Sequence, residues 1–225
     1  MKILVTGGNG QLGNELKSIL TTGAAEIAKC PIDNTKVETI YTDADELDIT
    51  NLEQVKEMVL NEKPDVIINC AAFTNVDGCE SNQDAAFKVN ALGPRNLAIV
   101  AEMIGAKLVH VSTDYVFPGV GTVPLKEFDA TNPVSTYGTT KLLGEEYVRE
   151  FCSKYYIVRT AWLYGYVGKN FVYTMMRLAK ANDKITVVND QRGNPTNAND
   201  LAYHILKLIA TDEYGVYHCT ANGEC

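Results

Sequence analysis

The strand-forming run Lys2-Ile3-Leu4-Val5-Thr6 passes directly into a turn with glycines at 7, 8, 10 and 13, and a helical pattern starts at Gln11. Few residues other than glycine tolerate the backbone angles and close contacts of so abrupt a strand-to-helix turn. Such a start commits a chain to strand–helix–strand units, hence to an α/β fold with parallel strands.

The rest of the chain repeats that alternation. Strands are expected at Lys2–Thr6, Val37–Thr42, Val66–Asn69, Leu108–Ser112 and Tyr156–Thr160. They are rich in Val, Ile and Leu without clean polar alternation, as in strands buried on both faces. Helices are expected at Gln11–Leu20, Leu52–Asn61, Asp84–Ile104 and Tyr137–Phe151, with Thr50 and Glu53 as a capping box for the second. Gly93-Pro94 should kink the third. Beyond Thr160 the pattern predicts a helix at Phe171–Lys180, a strand at Ile185–Val188, a helix at Asp200–Ile209 and a strand at Val216–Cys219. Segments 21–36 and 118–133 read as loops, the second long enough to carry function. The expected architecture is a Rossmann-type doubly wound parallel sheet with helices on both faces. Residues 1–160 are expected to form the main domain of that sheet, and 161–225 to add further sheet and helix.

Composition narrows the partners. Of 225 residues, 46% are hydrophobic, enough for a packed core, and the net charge of −8 gives little attraction for nucleic acid or anionic membrane. No apolar run is long enough to span a bilayer, and the first strand leaves no room for a signal peptide, so a cytoplasmic protein is expected. Cys30, Cys70, Cys79, Cys152, Cys219 and Cys225 form no Cys-x-x-Cys pair and read as reduced thiols. His110, His204 and His218 are scattered without ligand spacing, so no metal site is expected.

Gly7, Gly10 and Gly13 have distinct tasks in a dinucleotide site. The first makes the turn, the second lets backbone approach a pyrophosphate, and the third removes a side chain where helix meets strand. The pyrophosphate would rest on the amides opening the helix, at Gln11 and Leu12. The spacing differs by one residue from the Gly-x-Gly-x-x-Gly fingerprint, and an ordinary glycine turn would look similar. Asp43, ending the second strand, can accept hydrogen bonds from adenosine ribose and would repel a 2′-phosphate, which favours NAD over NADP. With Asp45 and Asp48 nearby, a solvated acidic turn is an alternative. Asp48-Ile49 could bracket the adenine instead. Ala71-Ala72 would let a cofactor lie across the third strand, or would simply pack closely.

Tyr137 and Lys141 are four apart and share one helix face. A lysine ammonium at ~5 Å, in an effective dielectric of ~20, would lower a phenol's pKa by about two units. That brings tyrosine towards general acid–base work. A chance pair on a surface helix is the competing explanation. Ser112 and Thr113 end the fourth strand on opposite faces, so only one can hydrogen-bond a substrate carbonyl.

Taken in order, Thr-Gly-Gly-x-Gly-x-x-Gly (6–13), Ser-Thr-Asp-Tyr-Val-Phe (112–117), Tyr-Gly-x-x-Lys-x-x-Gly-Glu (137–145), Arg-Thr-Ala-Trp-Leu-Tyr-Gly (159–165) and Asp190-Gln191-x-Gly193-x-Pro195-Thr196 resemble the extended short-chain dehydrogenase/reductase family. Within it the resemblance is to the branch that reduces dTDP-4-keto sugars, and it spans the chain. It implies NADH- or NADPH-dependent reduction of dTDP-4-dehydro-L-rhamnose at C4, with Thr113, Tyr137 and Lys141 as the catalytic set. It places Asp114, Tyr115, Trp162, Asn170 and Thr196 around the substrate, in an enzyme that could be a homodimer. On the residues alone, Trp162 reads as a core aromatic and Asn170 as a helix cap. Related dehydratases carry Asp-Glu after the threonine, whereas Asp114-Tyr115 follows here, favouring simple reduction over elimination or epimerisation. A non-catalytic regulatory subunit of the same fold is the other alternative. The resemblance also implies that residues 1–160 are the NAD(P)-binding domain and that 161–225 carry part of a small, incomplete substrate lobe, with further helices beyond Cys225.

Overall fold

The computed structural model describes residues 1–225, and its six main strands form one parallel sheet. In chain order, β1 is Lys2–Thr6, α1 Gln11–Thr22, β2 Glu38–Thr42, α2 Leu52–Glu62 and β3 Val66–Asn69. Then come α3 at Val76–Ser81, α4 at Gln83–Phe87, α5 at Gly93–Ile104, β4 at Lys107–Thr113 and α6 at Thr136–Phe151. β5 (Tyr155–Thr160), β6 (Leu163–Tyr164), α7 (Phe171–Ala181), β7 (Thr196–Asn197), α8 (Ala198–Ile209) and β8 (Gly215–His218) complete the chain. The strand order is β2-β1-β3-β4-β5-β8. The chain winds outward from β1 to β2, then returns to β3 on the other side of β1. That reversal opens a crevice at the carboxyl ends of β1 and β3, where α/β sheets bind ligands.

Strand alternation divides the core in two. Ile3, Val5, Val66, Ile68, Val109, Tyr156 and Val158 face α1 and α8. Leu4, Ile67, Leu108 and Ile157 face α2, α5 and α6. Each strand is apolar on both faces because helices cover both, the physical reason its sequence lacks polar alternation. No helix is long and apolar enough to cross a membrane.

Three expectations are corrected. The cap of α2 is Asn51, whose Oδ1 accepts from the Glu53 and Gln54 amides, while the Thr50 hydroxyl donates to Asp48. The single helix expected over 84–104 is α4, a π-helical turn at Lys88–Leu92, and α5. Pro94 lacks the N–H that would pair with the Asn90 carbonyl, and the wider turn accommodates the missing bond. Residues 185–188 form no strand, since no neighbour offers them a ladder, and Val188 is 68% exposed. In their place the short parallel pair β6–β7 joins Leu163 to Thr196 and Tyr164 to Asn197.

Candidate active site

A cleft of about 820 Å³ runs along the carboxyl edge of the sheet, from the glycine turn to α6. At one end, Gly7 has φ +67°, and a Cβ there would lie 2.7 Å from the Ala71 amide nitrogen. Both the backbone angle and the close approach of β3 therefore demand glycine. Gly10 caps α1 without a side chain, leaving the first helical turn uncapped where Gln11 and Leu12 line the cleft. Gly13 does not line the cleft. It sits beneath the turn, where a Cβ would strike the Gly7 and Gly8 carbonyls at 2.6 and 2.5 Å. Its neighbour is thus the turn itself, not the strand.

An uncapped helix N-terminus under a glycine cradle is an anion site in form, and the cleft reaches from it to Tyr137 and Lys141. Asp43, Asp48, Ile49, Ala71 and Ala72 all line it. One Asp43 oxygen accepts the Asn9 amide at 2.8 Å, which also braces the turn. Asp48 accepts the amide and hydroxyl of Thr50, and Ile49 is buried. Asn69 ties the floor together: its Oδ1 accepts the Thr6 hydroxyl and the Ala71 amide, and its Nδ2 donates to His110 Nδ1. These residues fit a nicotinamide dinucleotide.

At the other end, Thr113, Asp114, Tyr115, Tyr137 and Lys141 meet on the cleft wall. The Thr113 hydroxyl donates to Asp114 Oδ1 at 2.9 Å and accepts the Tyr115 amide at 3.2 Å, capping the single 3₁₀ turn that follows β4. Tyr115 meets the Tyr137 ring edge-on, with centroids 5.5 Å apart. Ser135 caps α6 through the Gly138 amide, and Glu80 accepts the Thr136 amide and hydroxyl, fixing the turn that carries Tyr137.

The expected electrostatics of the pair are not realised. Burial pushes the Tyr137 phenol above its ordinary range, Asp114 and Tyr115 add to that, and the Thr113 hydroxyl pulls against it. Lys141 is 1% exposed and donates to the Val111 carbonyl at 2.7 Å. Burial lowers its pKa to about 8, opposed by the Glu145 charge. The phenol is accordingly protonated at neutral pH, ready to give a proton rather than take one. Burial also pushes the Cys70 thiol up to about 12 and holds His110 well below its usual range.

Trp162 lines the cleft and is 39% exposed, so it is not a core aromatic. Its φ of +45° is unusual for a bulky residue, and the indole lies over Gly193. Asn170 and Thr196 do not line the cleft. Asn170 caps α7 through the Tyr173 amide and donates to Gln11 Oε1 and the Gly165 carbonyl. Thr196 is buried in β7 with its hydroxyl on the Asn194 carbonyl. Sequence reasoning missed Cys70, Val111, Thr160 and Lys169 as lining residues. The first three sit at or within two residues of strand ends, where closeness in sequence to Ala71, Ser112 and Trp162 was the available signal.

A family model described as the RmlD substrate binding domain matches residues 1–225. The chain is similar to a dTDP-4-dehydrorhamnose reductase from Clostridium acetobutylicum, 51% identical, with a TM-score of 0.92 covering 100% of this chain and 76% of that one. It is similar to a dTDP-4-dehydrorhamnose reductase from Bacillus anthracis in complex with NADP, 44% identical, TM-score 0.91, covering 100% and 75%. It is also 40% identical to the dTDP-4-dehydrorhamnose reductase of Escherichia coli K12, over 99% of this chain and 73% of that protein.

Proposed function

The chain belongs to the RmlD substrate binding domain family, and from that premise we propose that it reduces the C4 ketone of dTDP-4-dehydro-L-rhamnose to give dTDP-L-rhamnose. The observation that carries the reading is one continuous cleft. A glycine cradle for a dinucleotide lies at one end, and Thr113, Tyr137 and Lys141 lie at the other.

Gly7, Gly10, Gln11 and Leu12 would hold the pyrophosphate, Asp43 the adenosine ribose, and Lys141 the nicotinamide ribose. Asp43 makes NADH the expected preference. When bound, the reduced nicotinamide supplies a hydride to an electrophilic carbon. Tyr137 gives its phenolic proton to the ketone oxygen, which becomes the new hydroxyl. Thr113 turns its hydroxyl from Asp114 to that oxygen and stabilises the charge that develops there. Lys141 keeps two N–H donors beyond the one spent on Val111, and these would serve the ribose hydroxyls. Asp114, Tyr115 and Trp162 border the sugar, and residues 161–225 contribute that side of the substrate pocket.

The test is oxidation of NADH and NADPH, followed by nicotinamide absorbance, with the dTDP-4-keto sugar as substrate. Tyr137→Phe should lower turnover by roughly 10²–10⁴-fold while leaving cofactor affinity nearly unchanged. Undiminished turnover in that variant removes Tyr137 from the mechanism.

A further inference from the structure

We propose that Glu145 is a positioning residue for the Tyr137–Lys141 pair: it locks α6 to the carboxyl ends of β4 and β5 and supplies the negative charge facing the Lys141 ammonium. The inference rests on the role given to that pair above.

The Glu145 side chain is fully buried, with both oxygens engaged. Oε1 accepts the Ser112 hydroxyl at 2.6 Å and Arg159 Nε at 2.9 Å, and Oε2 accepts Arg159 Nη2 at 2.7 Å. Ser112 immediately precedes Thr113, and Arg159 precedes Thr160, the residue paired with Thr113 across the sheet. One carboxylate therefore joins the helix bearing Tyr137 and Lys141 to the strand bearing Thr113. Glu145 stands one helical turn beyond Lys141, on the same face. The lock extends outward, since Arg159 Nη1 donates to the Glu127 carbonyl and its guanidinium stacks over Phe117.

Stability alone is a poor account of this arrangement. Burying an ion pair costs desolvation that well-packed apolar side chains would not incur. What the pair does supply is direction: a bidentate Arg–carboxylate contact fixes rotation as well as distance. The surrounding groups leave Glu145 as the counter-charge. Cys70, just past β3, and His110 on β4 face Lys141 and are held neutral by burial. Arg159 on β5 and Arg149 on α6 face Glu145 from the other side, with Glu127 and His218 beyond them.

The experiment measures cofactor binding by nicotinamide fluorescence from neutral to alkaline pH, alongside kcat, KM and thermal melts. Wild-type affinity should weaken as Lys141 loses its proton, and Lys141→Met should abolish that pH dependence. Glu145→Gln should move it to lower pH by about one unit. Glu145→Asp, which keeps the charge but not the reach, should restore the wild-type profile without restoring kcat. Ser112→Ala, which breaks only the strand contact, should leave the profile in place and lower kcat by roughly 3- to 10-fold with little change in KM. A folded Glu145→Gln protein with an unmoved profile overturns the proposal. If that variant does not fold, full kcat in folded Ser112→Ala overturns it instead. A pH dependence that survives in Lys141→Met sinks the role of Lys141 itself, and the proposal with it.

Discussion

Asp43 does two things with one carboxylate. One oxygen takes the Asn9 amide at 2.8 Å, holding the glycine turn, and the residue lines the cleft where the second strand ends. Asn at this position would keep an acceptor for Asn9 and lose the charge that repels a 2′-phosphate. Asp43→Asn should therefore raise the NADPH-to-NADH ratio of kcat/KM by about tenfold, the effect of roughly 1.4 kcal/mol. Separate kinetics with the two cofactors check this, and an unchanged ratio shows that Asp43 does not set the choice. The same scale shows where sequence reasoning reached and where it stopped. Spacing alone put Tyr137 and Lys141 on one face of α6. It could not show that Lys141 spends a proton on Val111, because that carbonyl arrives from β4. Nor could it show that burial pushes the phenol up, with the Thr113 hydroxyl and not the ammonium pulling against it.

At the scale of elements, α6 is held from both sides. Its buried flank includes Gly144, where a Cβ would collide with the Asn90 carbonyl. That carbonyl is the one Pro94 cannot pair with, so the π-helical turn and Gly144 are complementary parts of one contact. Gly144→Ala should push α6 from the Lys88–Leu92 turn and cost about 1–3 kcal/mol, occasionally more. A chemical denaturation curve checks it, and a midpoint equal to wild type would mean that the contact relaxes freely. The β1–α1 turn was legible because each feature there is local. A positive φ, a strand end and a helix start all leave marks within thirteen residues. The π turn was not, because Pro94 announces a break without saying how the helix absorbs it. The β6–β7 pair was hidden by its length of two residues, whereas residues 185–188 have strand-forming side chains but no partner. Asn51 displaced Thr50 as the cap because Asp48 had already claimed the threonine hydroxyl.

For the whole molecule, the cleft collects residues from the ends of β1, β3, β4 and β5, from the turn after β2, and from α6. A dinucleotide lying there touches the loops that close both halves of the sheet, so its binding free energy should add to global stability rather than tighten one loop. Binding to the native state alone contributes RT ln(1 + [L]/Kd), about 2.7 kcal/mol at a hundredfold excess over Kd. For a domain of this size each kcal/mol raises Tm by roughly 2–4 °C, so saturating cofactor should raise it by about 5–10 °C. The shift should grow with the logarithm of cofactor concentration and appear equally in near-UV and far-UV signals, because both core layers share the same strands. Gly7→Val sets a side chain against the Ala71 backbone in a conformation valine avoids, and it should lose this cofactor-dependent shift. If that variant kept the full shift, the dinucleotide would be gripped elsewhere than at the β1–α1 turn.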